Sequence, residues 1–324
     1  MTKASQETRQ GFFWRQQHLS PLPIPTGQAP SDLLNLIWRK TPVYLDIGSF
    51  PMGSGWLTLH AMTFVIVTVS AWAAWSFYGV RGVSWYEYTV LPVTGAVIVG
   101  PLWYLYIKQW RKPLTPPIRF NRQRREVCIT EPDGSYWFVP WERVHAIAPS
   151  VLMLNSGGAS KHGSLVLWFP LKGQEREDYA PDKPGWVMMV NPGGGRSAMA
   201  QWECIRSFIE VGAHAVPDSR TTEHAELTER EGYWGAWKDC TLQFFDELRA
   251  KEFGRALASL SSLTIFGLPW ISVLFTRKLA NLPDLTAPDV IEWSQPLPPE
   301  QWAKRSPELE RAISEREAEL VAQA

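Results

Sequence analysis

Cysteine is scarce in this sequence, and the few cysteines form no recognisable metal or disulfide pattern. The 324-residue chain contains only 3 of them. Cys128, Cys204 and Cys240 lie far apart, and none belongs to a C-x-x-C pair. The spacing therefore indicates neither a disulfide framework nor a cysteine zinc site. We expect reduced thiols in a cytosolic compartment, with no metal and no cofactor bound.

The sequence also lacks an excess of charge and the common catalytic motifs. Its 32 basic residues balance 32 acidic ones, so the net charge is +0, which excludes a strong overall attraction to nucleic acid. The six histidines are scattered, and neither an H-E-x-x-H helix motif nor a G-x-S-x-G nucleophile motif occurs. We therefore predict a non-enzymatic protein with no catalytic residues and no nucleic-acid partner.

Charge is absent from two long hydrophobic runs. Residues 57–80 and 88–107 contain no Asp, Glu, Lys or Arg, and about 20 apolar residues cross the hydrocarbon core of a bilayer as a helix. The polar stretch of residues 1–10 is not followed by the apolar core of a signal peptide. The sequence thus predicts a transmembrane helical hairpin over residues 56–110, inserted by its own first helix.

Aromatic and basic residues flank these runs. Tryptophan prefers the membrane interface, so we assign Trp56, Trp85, Trp103 and Trp110 to the two interfacial belts. The segment after the second run carries seven basic residues before its first acid, Glu126, which predicts that both ends of the hairpin face the cytoplasm. Three of these basic residues are also candidate contacts for anionic lipid, although topology determination alone explains them: Lys108, Arg111 and Lys112.

The segments at the two ends of the chain are rich in proline. Residues 1–55 form a predicted cytosolic arm with a proline-rich linker at residues 20–32 and a short helix at residues 31–40. Residues 281–324 form a second proline-rich linker and a charged helix that starts at Ser306. Leu309, Ile313 and Leu320 give this last helix a thin apolar stripe for a partner, but we expect a solvated, partly frayed tail.

Residues 117–215 have the pattern of a small antiparallel β domain. Short β-rich runs alternate with turn residues, and the period becomes helical over residues 197–212. The predicted fold class is therefore an α+β membrane protein. The predicted strands lie at residues 118–120, 126–130, 136–139, 145–154, 164–171 and 186–191.

The β-rich segment resembles the cytosolic domain of a group of bacterial membrane proteins. The resemblance covers residues 118–213 and rests on the strings I-R-F-N-R at residues 118–122 and V-P-W-E at residues 139–142. It implies a two-helix hairpin joined to a cytosolic pleckstrin-homology-like domain in the bacterial inner membrane. Some proteins similar to these are associated with type VI secretion, which would imply an immunity or accessory role.

A third uncharged run, at residues 256–276, contains a smaller proportion of apolar residues than the first two. It lies within a predicted helical region at residues 225–280 and has basic residues on both sides. This favours a segment that dips into the cytoplasmic interface, with a third full span as the alternative.

Two local clusters raise the question of anion binding. Three glycines at residues 193–195 and Arg196 precede a helix whose exposed N–H groups would suit a phosphate, whereas a glycine-rich turn capped by Ser197 explains the same letters. Lys161 lies in a predicted glycine-containing loop, where it would contact a lipid headgroup or simply keep the loop solvated.

These observations together predict a membrane-anchored binding protein. The expected partners are the lipid bilayer and another protein, and the chain itself is a candidate homo-oligomer. The alternative is a subunit of an oligomeric membrane transporter or pore, with Gly95 and Gly100 as close-packing positions. The two runs contain no charged residue that would mark an ion path, so we rank the binding protein first.

Overall fold

The computed structural model describes residues 8–11, 14–19, 22–48, 53–77, 84–155, 158–176, 179–180, 183–190, 195–218 and 221–323. For residues 8–10, 53–54, 85, 153–155, 158–162, 221–231 and 323 it describes the backbone only. The chain divides into two compact units. The β-rich unit comprises residues 1–49, 115–220 and 283–324, and the helical unit comprises residues 50–114 and 221–282.

The described residues contain eleven strands and eight α-helices. The strands are β1 (Thr8–Gln10), β2 (Trp14–His18), β3 (Ile37–Lys40), β4 (Tyr44–Ile47), β5 (Ile118–Asn121), β6 (Glu126–Thr130), β7 (Tyr136–Pro140), β8 (His145–Asn155), β9 (Gly158–Gly163), β10 (Leu165–Phe169) and β11 (Trp186–Val190). The helices are α1 (Gly53–Phe77), α2 (Trp85–Trp110), α3 (Gly195–Glu210), α4 (Thr221–Arg249), α5 (Phe253–Thr264), α6 (Leu268–Leu279), α7 (Pro288–Trp293) and α8 (Pro307–Gln323).

The first sheet of the β-rich unit is antiparallel, with its five strands in chain order from β3 to β7. Its central pair, β4 and β5, comes from opposite sides of the two hydrophobic helices in the sequence. Leu45 pairs with Phe120 and Ile47 pairs with Ile118, and all four side chains are buried in the core. The predicted membrane hairpin is therefore an insertion between two neighbouring strands of one sheet.

The second sheet has the order β1-β2-β8-β10-β11, with β9 added to the long strand β8. Its pairings are antiparallel, and alternate residues at the start of β8 and along β10 belong to the main core: Ala146, Ala148, Leu165, Leu167 and Phe169. Helix α3 buries Trp202 and Phe208 in the same core. Trp202 stacks on Trp141, with ring centroids 5.3 Å apart. The predicted α+β class with antiparallel strands is thus confirmed, and the strands form two sheets.

All six strands that the sequence predicts between residues 118 and 191 are present, as is the helix that follows them. The predicted loop around Lys161 is wrong, because residues 158–163 form β9. The eleven-residue strand β8 extends beyond its other partners, and its free edge pairs with this segment from Ser150 to Asn155. Pairing with the edge of β8 gives the backbone N–H and C=O groups of this segment hydrogen-bond partners, whether or not the residues are glycines. It therefore outweighs the preference of the glycines for a turn.

The predicted short helix at residues 31–40 is also wrong. Both carboxylate oxygens of Asp32 accept hydrogen bonds from backbone N–H groups, at 2.8 Å from Leu36 and 3.0 Å from Ile37. Asn35 has a φ of 52°, which ends any helical turn. Ile37 then starts β3 and pairs with Ile47 of β4. Sheet pairing and a side-chain-capped turn therefore outweigh the apolar spacing that suggested a helix.

The C-terminal segment packs against the β-rich unit instead of forming a solvated tail. Helix α8 starts at Pro307, as predicted, but Leu309 and Ile313 are buried against Ile24 of the proline-rich N-terminal segment. Arg316 Nε donates to the carbonyl of Pro25 at 3.2 Å. The thin apolar stripe of α8 packs against the proline-rich N-terminal segment of the same chain. The expectation of a solvated and frayed tail is therefore wrong.

The helical unit contains the two predicted spans. Gly55–Phe77 and Tyr86–Trp110 are long and apolar enough to cross a membrane, with mean hydropathies of 1.6 and 1.7. Their side chains are mostly exposed, as the lipid-facing surface of a hairpin must be. Helix α4 contains one non-helical residue, Gly232, and packs against α5 and α6.

Candidate functional site

Three of the four predicted interfacial tryptophans lie at one end of the membrane hairpin. Trp56, at the start of α1, contacts Trp103, near the end of α2, with ring centroids 5.4 Å apart. Trp103 Nε1 donates to Thr63 Oγ1 at 2.9 Å. Tyr106 stacks on Trp110 at 6.1 Å. Trp85 begins α2 at the opposite end, and its side chain lies outside the described part. This clustering is the arrangement expected of an interfacial aromatic belt.

The third hydrophobic run is a pair of short helices, α5 and α6, bent by 61°. Gly267, with a φ of 57°, lies at the break. Two backbone carbonyls at this break accept hydrogen bonds from side chains of α1. His60 Nδ1 donates to Ile265 O at 2.9 Å, and Trp56 Nε1 donates to Phe266 O at 3.0 Å. Sequence reasoning assigned neither role, although Gly267 and Pro269 together mark the break.

Both ends of α6 contact the same end of the hairpin. Gly267 lies against His60, about two turns into α1. At the other end, Lys278 Nζ donates to the carbonyls of Trp110 at 2.9 Å and Lys112 at 2.6 Å. A helix that crossed the bilayer would run along the length of the hairpin. The contacts therefore favour the interfacial placement of α6 over a third span.

Gly95 of α2 packs closely against Ile66 of α1. A Cβ placed on Gly95 would overlap the Ile66 side chain of α1, whereas one on Gly100 would meet no atom within 4 Å. We expect Gly95→Leu to destabilise the helical unit by about 1–3 kcal/mol through overpacking. Gly100→Leu is the matched control and should unfold at the wild-type temperature. Thermal unfolding of the full-length chain in detergent measures both, and equal melting temperatures would refute this account of the hairpin.

The predicted anion contacts are distributed over the two units. Lys108, Arg111 and Lys112 are exposed at the end of α2 in the helical unit. Lys161 belongs to β9 of the β-rich unit, and its side chain lies outside the described part, as does the glycine run at residues 193–194. Arg196 is exposed in the first turn of α3. Arg196 lines a cavity.

This cavity, of about 400 Å³, lies at the N-terminal end of α3, beside strands β2 and β8. Arg196 shares its wall with two further arginines, Arg15 of β2 and Arg316 of α8. Thr26 and Ser150 add hydroxyl groups to the wall. Sequence reasoning missed Arg15 and Arg316, because they are 120 or more residues from Arg196 and only strand pairing and the docking of α8 bring them near.

A buried histidine pair is the second polar cluster that the sequence did not indicate. His18 Nδ1 and His145 Nε2 are 3.2 Å apart, within hydrogen-bonding distance. The ring of Tyr179 stacks on His145 at 3.8 Å. Burial first, and then the neighbouring His18, lower the pKa of His145 from 6.5 to about 4. The described residues contain no group of three or more His, Cys, Asp or Glu placed to hold a metal ion.

Charged networks attach the C-terminal segment to the first sheet. Burial alone would raise the pKa of Glu210, but hydrogen bonds and charge from Arg125, with bonds from Trp141 and Arg305, lower it below its usual value. Arg305 also donates to the Glu210 backbone carbonyl at 2.9 Å. This network is explained by its contribution to folding, because each charged group is already paired.

Comparisons with known proteins found no match. No family model, no curated protein and no solved structure matches the chain.

Proposed function

We propose that this chain is a non-enzymatic, membrane-anchored binding protein that presents its β-rich unit at the cytoplasmic surface of a bacterial inner membrane. The observation that carries the proposal is the insertion of α1 and α2 between the paired strands β4 and β5. Only residues 48–52 and 111–117 join these strands to the two helices. A sheet whose central strands lead directly into two spans is tethered to the membrane at two points.

An exposed apolar surface on the second sheet supports a binding role. On its outer face, Trp14, Val151, Val187 and Met189 are 43–61% exposed. They lie on the face opposite α3, because residues of these strands alternate between the two faces. Exposed apolar side chains gathered on one face are typical of protein interaction sites. We propose that the protein partner binds this outer face.

The finer parts of the proposal come from the sequence. The basic cluster after α2 supports a cytoplasmic position for both hairpin ends. Two antiparallel sheets that pack with one helix are compatible with the pleckstrin-homology-like resemblance. An immunity or accessory role in type VI secretion is one form of the proposal and rests on that resemblance alone. An immunity protein should protect cells in which it is co-expressed with a type VI toxin. We expect cells that lack its gene to lose this protection.

The topology is tested by labelling single cysteines in intact cells with a membrane-impermeant maleimide. Cys240 is replaced by serine, and one cysteine is placed at Ser84 or at Lys112, at opposite ends of α2. We expect labelling of Ser84→Cys from outside and labelling of Lys112→Cys only after the cells are permeabilised. The Cys240→Ser chain without an added cysteine is the control. The reverse pattern, or a chain that extracts into buffer without detergent, would contradict the proposal.

The binding surface is tested by photo-crosslinking in the same membranes. A photoreactive residue replaces Met189 on the outer face of the second sheet or Val321 of α8, which is 78% exposed and serves as control. We expect a discrete crosslinked protein from Met189 and none from Val321. Identical crosslinking patterns from the two positions would rule out the outer face as the specific binding surface.

A further inference from the structure

The arginine cavity of the β-rich unit has an excess of positive charge. The described residues of its wall include Arg15, Arg196 and Arg316 but no carboxylate. Among the described residues, Arg15 and Arg196 have no acid within salt-bridge distance. Three cations around one concave site repel each other, so the arrangement is most stable with an anion between them.

Arg316 shows how the site is supported. Its side chain is only 18% exposed and its Nη1 is 2.9 Å from Glu319, one helical turn along α8. Its Nε donates to Pro25 O, so the guanidinium is held at the cavity wall. Glu319 is 62% exposed and neutralises at most one of the three charges. The cavity therefore keeps an excess of positive charge.

The polar groups behind the arginines are already bonded. Thr26 donates its hydroxyl to Glu203 at 3.0 Å, and Ser150 donates its hydroxyl to the Arg15 carbonyl at 3.3 Å. These bonds leave guanidinium N–H groups as the main free donors of the cavity. Gly195 and Arg196 also lie in the first turn of α3, where backbone N–H groups have no partner within the helix.

We propose that this cavity binds a phosphate group that belongs to a larger molecule. Guanidinium groups form paired hydrogen bonds with phosphate oxygens, which suits a site built from three arginines. A volume of about 400 Å³ falls within the usual range of small-molecule sites, so an organic group attached to the phosphate also fits. This inference deepens the proposed function and rests on it, because it gives the membrane-anchored unit a ligand class.

The experiment uses the full-length chain in detergent. Pyrophosphate represents a soluble phosphate, and dihexanoyl phosphatidic acid represents a lipid headgroup. Each is titrated while binding is followed by the rise in melting temperature, which increases with ligand that binds the folded state. The double variant Arg15→Gln/Arg196→Gln should lose affinity by about tenfold or more, because each charged hydrogen bond that is removed weakens binding.

A matched control separates the cavity from general charge effects. Arg311→Gln removes one positive charge from the exposed side of α8 and leaves the cavity wall intact, so it should bind like wild type. Because neither Arg15 nor Arg196 has an acidic partner in the described part of the chain, the double variant should fold normally, and its melting temperature without ligand verifies this.

The outcomes are distinct. Saturable binding of pyrophosphate alone supports a soluble ligand, and binding of phosphatidic acid alone supports a headgroup; in both cases the double variant must bind more weakly. Failure of both probes to bind, or equal binding by the double variant, would overturn the site. If the chain binds a probe but can be extracted from the membrane into buffer without detergent, the anchoring proposal is refuted and the phosphate site still stands.

Discussion

Replacing Arg119 by methionine will destabilise the β-rich unit by about 3–5 kcal/mol, because it leaves the carboxylate of Asp46 buried without its main partner. Asp46 is fully buried, and Arg119 bonds both of its oxygens, at 2.6 and 2.7 Å. Burial lowers the pKa of Arg119, but the hydrogen bonds and charge of Asp46 outweigh it and raise this pKa, so the guanidinium stays charged. Denaturant unfolding of the full-length chain in detergent measures the loss.

Two further variants show whether the cause is the unpaired charge. Arg39→Met removes a cation that lies 3.4 Å from Asp46 but is 28% exposed, and it should cost about 1 kcal/mol or less. In Arg119→Met/Asp46→Leu no buried charge remains, so much of the lost stability should return. If the double variant is as unstable as Arg119→Met, the destabilisation comes from lost packing and the electrostatic explanation is wrong.

Breaking this ion pair should also loosen the C-terminal segment. Arg119 donates to Asp284 at 2.9 Å and to Ser294 at 3.0 Å, and both residues lie after the helical unit in the chain. Asn121 donates to the carbonyl of Trp293 at 3.0 Å. In Arg119→Met we therefore expect earlier proteolytic cleavage between residues 283 and 306 than in Arg39→Met.

Acid should destabilise the chain through His145, by about 3 kcal/mol at most. The fold holds this residue neutral, with a pKa of about 4 against 6.5 in an ordinary environment. The unfolded chain therefore binds a proton at a higher pH than the folded chain does. The stability is complete above pH 6.5 and is lost as the pH falls from 6.5 towards 4. The expected decrease in melting temperature is about 6–12 °C.

Carboxylates also titrate in this range, so a variant must isolate the histidine. His145→Phe preserves an aromatic ring beside Tyr179 but cannot be protonated. It will be less stable at neutral pH, because the hydrogen bond between His18 and His145 is lost. Its melting temperature should decrease less than that of wild type between pH 7 and pH 4. Parallel curves for the two proteins would show that burial of His145 does not produce the pH dependence.

Much of the fold is predictable from local sequence patterns. The spans follow from length and absence of charge, and both candidate helices are present. Six of the seven strands between residues 118 and 190, all except β9, follow from apolar runs between turns, and α8 follows from Ser306 and Pro307. These features depend on interactions between near neighbours in the sequence, or on the solvent alone, so one sequence contains enough information to predict them.

The candidate sites follow from strand register and helix docking instead. His18 reaches His145 because β2 pairs with β8, although the two histidines are 127 positions apart in the sequence. Arg15 and Arg196 line one cavity because α3 packs beside strands β2 and β8. Of the nine site residues that the sequence suggested, Arg196 lies in this cavity and Trp56, Trp103 and Trp110 cluster at one end of the hairpin. Distances of this kind depend on which elements pair, which no local pattern specifies.

The sequence by itself determined which stretches suit lipid, which alternate as strands and where the last helix begins, because each property depends on side chains within a few residues. Only the tertiary structure decided that β4 and β5 pair across the two spans, that α8 covers Ile24, and that α1 supplies the donors for the break between α5 and α6. Those choices depend on contacts between distant segments, whose free energy appears only when the whole chain is folded.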